Sequence, residues 1–170
     1  MSDPFTDYEK HWPSDGALKA IGLLFVISGT AEKALTFQLL RVMSHPDPPQ
    51  ARNLMAIQGL DVSVTLGVMR AYVKRCGLQK TGLLELIEDV QSAFQKRNLF
   101  AHAVVSRAER ENVVEVKATK PDKNGKLPQA QRFKAEEILE FAKAIHASAK
   151  ALDLKFVELG FFSFKNDVSF

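Results

Sequence analysis

The chain has a single cysteine, Cys76, among its 170 residues. A lone thiol cannot close an internal disulfide, so nothing in the sequence calls for an oxidising compartment. Histidine is also sparse, at positions 11, 45, 102 and 146, and with one cysteine these make no recognisable zinc-ligand spacing. There is no G-x-G-x-x-G, no other glycine-rich phosphate loop and no G-x-S-x-G elbow. Zinc, dinucleotide and serine-hydrolase chemistry therefore take no support, and no metal or cofactor is expected. The longest strongly apolar run, residues 20–27, falls far short of the ~20 residues that a bilayer crossing requires. The first sixteen residues are polar and acidic, unlike the basic start of a secretory signal. No repeat, heptad array or long linker interrupts the pattern. These absences point to a soluble, cytoplasmic protein that makes no use of a membrane.

What is present is ordinary for a globular domain: 46% hydrophobic and 25% charged residues. The length suits one domain able to bury roughly 70% of its unfolded surface. Net charge is only +3, but it is unevenly placed. Residues 96–134 hold ten Lys/Arg against four acids, while the rest of the chain holds thirteen against sixteen. Positive charge so concentrated suits an anionic partner. The plainer account is a lysine-rich, solvated hairpin.

Hydrophobic periodicity predicts four amphipathic helices. Ser14 is a candidate N-cap for the first, over 15–44, with a stripe through Leu18, Ile21, Phe25, Ser28, Leu35, Leu39 and Met43 and with Glu32 inside it. The proline-rich segment 45–49 breaks it. A second helix near 50–75 has Leu54, Ile57, Val64, Val68 and Tyr72 as anchors, and Gly59 and Gly67 as points of close helix contact. A third, 83–101, is anchored by Leu83, Ile87, Val90, Phe94 and Ala101. The period then changes to two: Val104-Val105, followed by Val114, Val116 and Ala118 alternating with polar residues, predicts a small β-hairpin. A last helix over 135–159 carries Ile138, Ala142, Ile145, Ala149, Leu152 and Phe156 on one face, with Gly160 as its stop. The expected fold is mainly α, a four-helix-type bundle with a small β-hairpin between the third and last long helices. Residues 1–14 form an N-terminal tail, 15–160 a single helical domain and 161–170 a phenylalanine-rich tail folded back over the core. Tyr8 and Trp12 are expected to anchor the N-terminus, and His146 to be a half-buried surface histidine.

One stretch stands out: Arg97-Asn98-Leu99-Phe100-Ala101-His102. Arg97 continues the spacing 83, 87, 90, 94, 97, 101, which turns a guanidinium towards the apolar side of its helix. That placement is costly unless the charge is paired or binds an anion. Asn98 and His102 lie about 40° apart around a helix, but Arg97 and His102 about 140° apart. Only the long arginine arm, or a helix that ends between them, can bring both onto one phosphate.

The motif resembles that of the HEPN superfamily: an arginine, often followed by a polar residue, then a histidine after four to six positions, within a helical bundle. Asn98 fits the polar position, and Ala103 stands where many relatives carry glycine. The resemblance implies metal-independent RNA cleavage in catalytic members. His102 would then be the general base or acid, Arg97 would stabilise the phosphorane, and Asn98 would orient the histidine or bind the phosphate. It also implies a homodimer placing two motifs across a shared cleft, and a toxin or defence role with an antitoxin partner. Lys96, Arg107, Lys117, Lys120, Lys123 and Lys126 are the candidate RNA-binding residues, and Glu32 is a candidate support for Arg97. A structural account stands beside this one. Arg97 and Glu32 form a buried bridge, His102 is a helix-end histidine favoured by the macrodipole, and the bundle is a non-catalytic module binding a nucleotide, RNA or a protein. A helical adaptor docking a partner through its Phe-rich tail is a further alternative.

Overall fold

Ser14 does start the first helix: its hydroxyl accepts the Ala17 amide at 3.4 Å, serving one of the donors that a helix N-terminus leaves open. The computed structural model describes residues 11–44, 57, 59–108, 112–121, 125–126 and 128–161. Within these, four α-helices and three strands follow in the order α1 (Asp15–Ser44), α2 (Val62–Arg75), α3 (Leu83–Ala101), β1 (Ala103–Arg107), β2 (Val113–Ala118), β3 (Gln131–Lys134) and α4 (Ala135–Glu158). The protein is mainly α with a small antiparallel sheet in the order β1-β2-β3, inserted between the third and last long helices. Tyr8, the proline segment 45–49, Leu54, Lys123 and the tail beyond Phe161 lie outside the described residues.

The chain forms two compact units: Met1–Ser28 with Ala93–Ala144, and Gly29–Ser92 with Ile145–Phe170. In the first unit, the sheet alternates as its sequence does. Val114 and Val116 are buried on one face, and Phe133 of β3 pairs with Val114. Phe133 joins Phe100 of α3 and Phe141 of α4 in an aromatic cluster with centroids 5.4 and 5.5 Å apart, within the range of favourable ring pairing. Asn112 ends the β1–β2 turn in the left-handed region, φ 59°, which asparagine tolerates better than most residues. Its side-chain oxygen accepts the Ser14 hydroxyl at 2.7 Å, and its carbonyl accepts the Ala135 amide at 3.0 Å, so one turn residue ties the starts of α1 and α4. The Glu137 carboxylate reaches back to the Lys134 amide at 2.7 Å, half of a capping box for α4. The indole of Trp12 does not anchor the N-terminus, being 60% exposed. The link there is main-chain, from the Arg107 amide to the His11 carbonyl at 2.7 Å.

In the second unit, Leu35, Leu39, Leu66, Met69, Val73, Leu83, Ile87, Ile145 and Leu152 are fully or almost fully buried. Arg41 of α1 pairs with Asp153 of α4 at 3.2 Å, and Arg70 of α2 bonds Gln91 of α3 at 2.9 Å. Gly160, at φ 87°, closes α4 with a Schellman motif: the Phe161 amide bonds the Phe156 carbonyl and the Gly160 amide bonds that of Val157. Phe161 then folds back, buried against Phe156 at 5.4 Å and Tyr72 at 6.2 Å.

Several expectations shift by a residue or more. The buried face of α1 runs through Ala17, Ala20, Leu24, Ser28, Ala31, Leu35, Leu39 and Val42, while Leu18 and Met43 are exposed. Alanines carry little hydropathic signal, yet Ala17, Ala20 and Ala31 are buried. Their larger neighbours Leu23, Val26 and Phe37 are left outside. By length and composition alone, α1 is the one described helix long and apolar enough to cross a membrane, and 28% of its most apolar stretch is buried. Counting only an unbroken apolar run missed this. In α2, Val64 and Val68 face outward, whereas Thr65, Leu66, Met69 and Val73 are buried. Asp61 caps that helix by accepting the Val64 amide at 2.8 Å. Gly67 makes no close helix contact, since a side chain there would meet open space. Ala101 is exposed. The short strand β3 was not expected.

Candidate functional site

The stripe of α3 holds as its sequence predicts: Leu83, Ile87, Val90 and Phe94 are buried, and Arg97 follows in the same register. Arg97 is half-buried in the first unit, with its guanidinium carbon 5.5 Å from the centre of the Phe25 ring. A guanidinium over an aromatic face gains from the ring quadrupole while shedding water. Its Nη1 donates to Asn98 Oδ1 at 3.2 Å, but its Nε is buried with no hydrogen-bond partner. Such an orphaned donor costs about 1–3 kcal/mol.

Helical hydrogen bonding persists past Ala101. The His102 amide donates to the Asn98 carbonyl at 3.2 Å, so Asn98 and His102 stack one turn apart on an exposed face. Asn98 thereby connects the two motif ends: its side chain takes the arginine arm and its backbone carries the histidine. Arg97 thus reaches round to Asn98 instead of standing straight out from its own position. The Asn98 side-chain oxygen accepts from Arg97, and its carbonyl takes the ordinary helical bond from the His102 amide. His102 forms the turn into β1, and its carbonyl accepts the Thr119 hydroxyl at 2.9 Å, joining the motif to the end of β2.

Glu32 belongs to the second unit, where its carbonyl accepts the Thr36 hydroxyl at 3.1 Å. Within its own unit the polar partner of Arg97 is the neutral Asn98. Among the predicted RNA-binding residues, Lys96 is exposed with its ammonium 5.8 Å from the centre of the Phe141 ring. Lys117 pairs with Glu115 at 2.8 Å. Arg107, Lys120 and Lys126 are exposed. His146 is exposed on α4 instead of half-buried. No group of three or more His, Cys, Asp or Glu side chains that could hold a metal ion occurs among the described residues.

Sequence reasoning missed three contributors. Phe25 is the platform for Arg97, and only a cross-helix contact reveals it. Arg132 reaches Glu115 from β3 at 3.2 Å. Hydrogen bonds from Lys117 and then Arg132 hold the Glu115 carboxyl below the usual glutamate range. Lys134 shares that sheet face. The alternation Gln131-Arg132-Phe133-Lys134 was the available signal, but four residues are too few to stand out. No family model, curated protein or solved structure matches the chain.

Proposed function

We propose that this chain is an RNA-directed protein of the HEPN kind, a metal-independent endoribonuclease that uses Arg97, Asn98 and His102. The observation that supports it is the Arg97–Asn98 side-chain bond, which turns a half-buried guanidinium towards the helix face that carries the exposed His102. In the reaction, His102 takes the proton of the RNA 2′-hydroxyl as that oxygen attacks the adjacent phosphorus. The 5′-oxygen leaves with a proton, giving a 2′,3′-cyclic phosphate and a 5′-hydroxyl end. Arg97, steadied by Asn98 and Phe25, stabilises the charge that builds on the phosphorane oxygens. A homodimer supplies a second His102 as the acid for the leaving oxygen. A toxin or defence role in the cytoplasm, restrained by an antitoxin protein, is the setting this activity suits.

The test is cleavage of a mixed RNA substrate in EDTA by the wild-type chain and by His102→Ala. Cleavage by the wild type alone, leaving cyclic phosphate ends, is the expected result. A folded wild type that leaves RNA intact would overturn the catalytic reading. One observation favours a binding module in that event: Asn98 and Phe25 already occupy the guanidinium, as a structural arginine would require.

A further inference from the structure

The small sheet has two faces of opposite character. Cross-strand pairing puts Val105, Val114, Val116 and Phe133 on one of them, together with the exposed Arg107 and Gln131. The other carries Val104 opposite Lys117, then Ser106, Glu115 and Arg132 in one row, then Val113 opposite Lys134. Lys117, Arg132 and Lys134 are all exposed, and Glu115 is the one acid among these paired residues. Glu115 bonds both Lys117 and Arg132, at 2.8 and 3.2 Å, and so holds two long cationic side chains in place. Cations held in this way lose less rotamer freedom when an anion arrives.

This face starts at the motif. Thr119, two residues beyond Lys117, bonds the His102 carbonyl, and the Val104–Lys117 pair is the next row along. Moving away from His102, the cations follow in the order Lys117, Arg132, Lys134. The rows from Lys117 to Val113 span about 13 Å of strand. The paired residues of this face include no aromatic ring, so it offers phosphate contacts and not base stacking.

We infer that this outer sheet face, with Lys117, Arg132 and Lys134 leading away from His102, seats the sugar-phosphate backbone of single-stranded RNA next to the cleaved phosphate. The inference rests on the reading of RNA as the target of the motif. It adds the path that the flanking nucleotides take and assigns Arg132 and Lys134 to it.

The test is fluorescence anisotropy of a labelled oligouridine with the full chain, in a His102→Ala background so that the probe survives. Each phosphate contact on a single strand contributes about 0.7 to the slope of log affinity against log salt. The combined variant Lys117→Gln, Arg132→Gln, Lys134→Gln is expected to lower that slope by about 2, and to weaken binding more than about tenfold at low salt. Circular dichroism checks that each variant is folded, and Arg132→Gln alone, at an exposed position, serves if the combined variant is not. An unchanged slope in folded variants overturns the inference, as does equal or tighter binding of polyglutamate, which would assign the face to an acidic protein. Cleavage separates this inference from the catalytic reading. A wild type that binds RNA through these cations but never cuts it leaves the inference standing alone. Conversely, if wild type and combined variant cut long RNA with the same KM, the inference fails and the catalytic reading stands.

Discussion

Replacing Arg97 by methionine separates a functional arginine from a structural one, because the two accounts predict different stabilities. Methionine keeps the unbranched stem that lies against Phe25 and removes every donor. The lost guanidinium–ring contact, at a half-buried site, is worth about 0.5–1 kcal/mol. The lost bond to Asn98, an exposed residue, is worth about 0.5 kcal/mol. Against these stands relief from the buried, unpartnered Nε, which costs about 1–3 kcal/mol in the wild type. The terms nearly cancel, so Arg97→Met is expected to have a urea midpoint equal to or above that of the wild type. In the same preparation, RNA cleavage is expected to fall at least about 100-fold, the usual scale for losing a group that stabilises transition-state charge. A variant destabilised by more than about 2 kcal/mol would refute the reasoning, because it would mean that Arg97 holds the fold together through a buried pairing.

Asn98→Asp replaces the neutral acceptor of Arg97 with a carboxylate; stability is expected to change by less than about 1 kcal/mol, while cleavage falls because a negative charge now competes with the phosphate. Ser14→Ala removes both the α1 cap and the bond to Asn112 and is expected to cost about 1 kcal/mol in thermal or urea unfolding. Leu152→Ala, at a fully buried position of α4, is expected to cost about 2–5 kcal/mol by the same measurement. The Glu115 carboxyl, followed by carbon-detected NMR, is expected to titrate below an unperturbed glutamate. Because its folded value is depressed, its contribution is present above the ordinary glutamate value and is lost as pH falls through the lowered one. In Lys117→Gln and Arg132→Gln the midpoint moves back up.

The helices were legible where large apolar residues alone make the buried face. In α3 and α4 each buried position is Leu, Ile, Val, Phe or Ala at regular spacing, and both helices end within a residue of where the pattern places them. In α1 the inner face is partly alanine and serine, and the larger side chains lie outside, so hydropathy pointed to the neighbouring stripe. The same inversion occurs in α2, where Thr65 is buried and Val64 is exposed. Hydropathy reads side-chain chemistry, and a stripe in which alanine, serine or threonine alternates with leucine gives it little to read. The third strand escaped notice because four residues give barely two alternations. At the candidate site, the inward register of Arg97 was readable from spacing. Its partners were not, since Phe25 lies more than seventy residues away in the chain and the reach to Asn98 depends on a side-chain rotamer.

The identity of the residue beside Arg97 bears on what that arginine is for. A core that merely needed to bury a guanidinium would do best to set a carboxylate against it, because an unpaired charge in a low dielectric is the costliest case. Among the described residues of its own unit, Arg97 meets an amide oxygen and an aromatic face, both of which steady the group without neutralising its positive charge. By contrast, Glu115 neutralises part of the charge of Lys117 and Arg132 on the sheet, where exposure to water makes an unpaired cation cheap. Among the described residues of this unit, charge is thus left uncompensated at the half-buried guanidinium and partly compensated on the exposed sheet. That distribution is what an arginine kept available for an incoming anion would show, and Arg97→Met is the variant that tests it against the structural account.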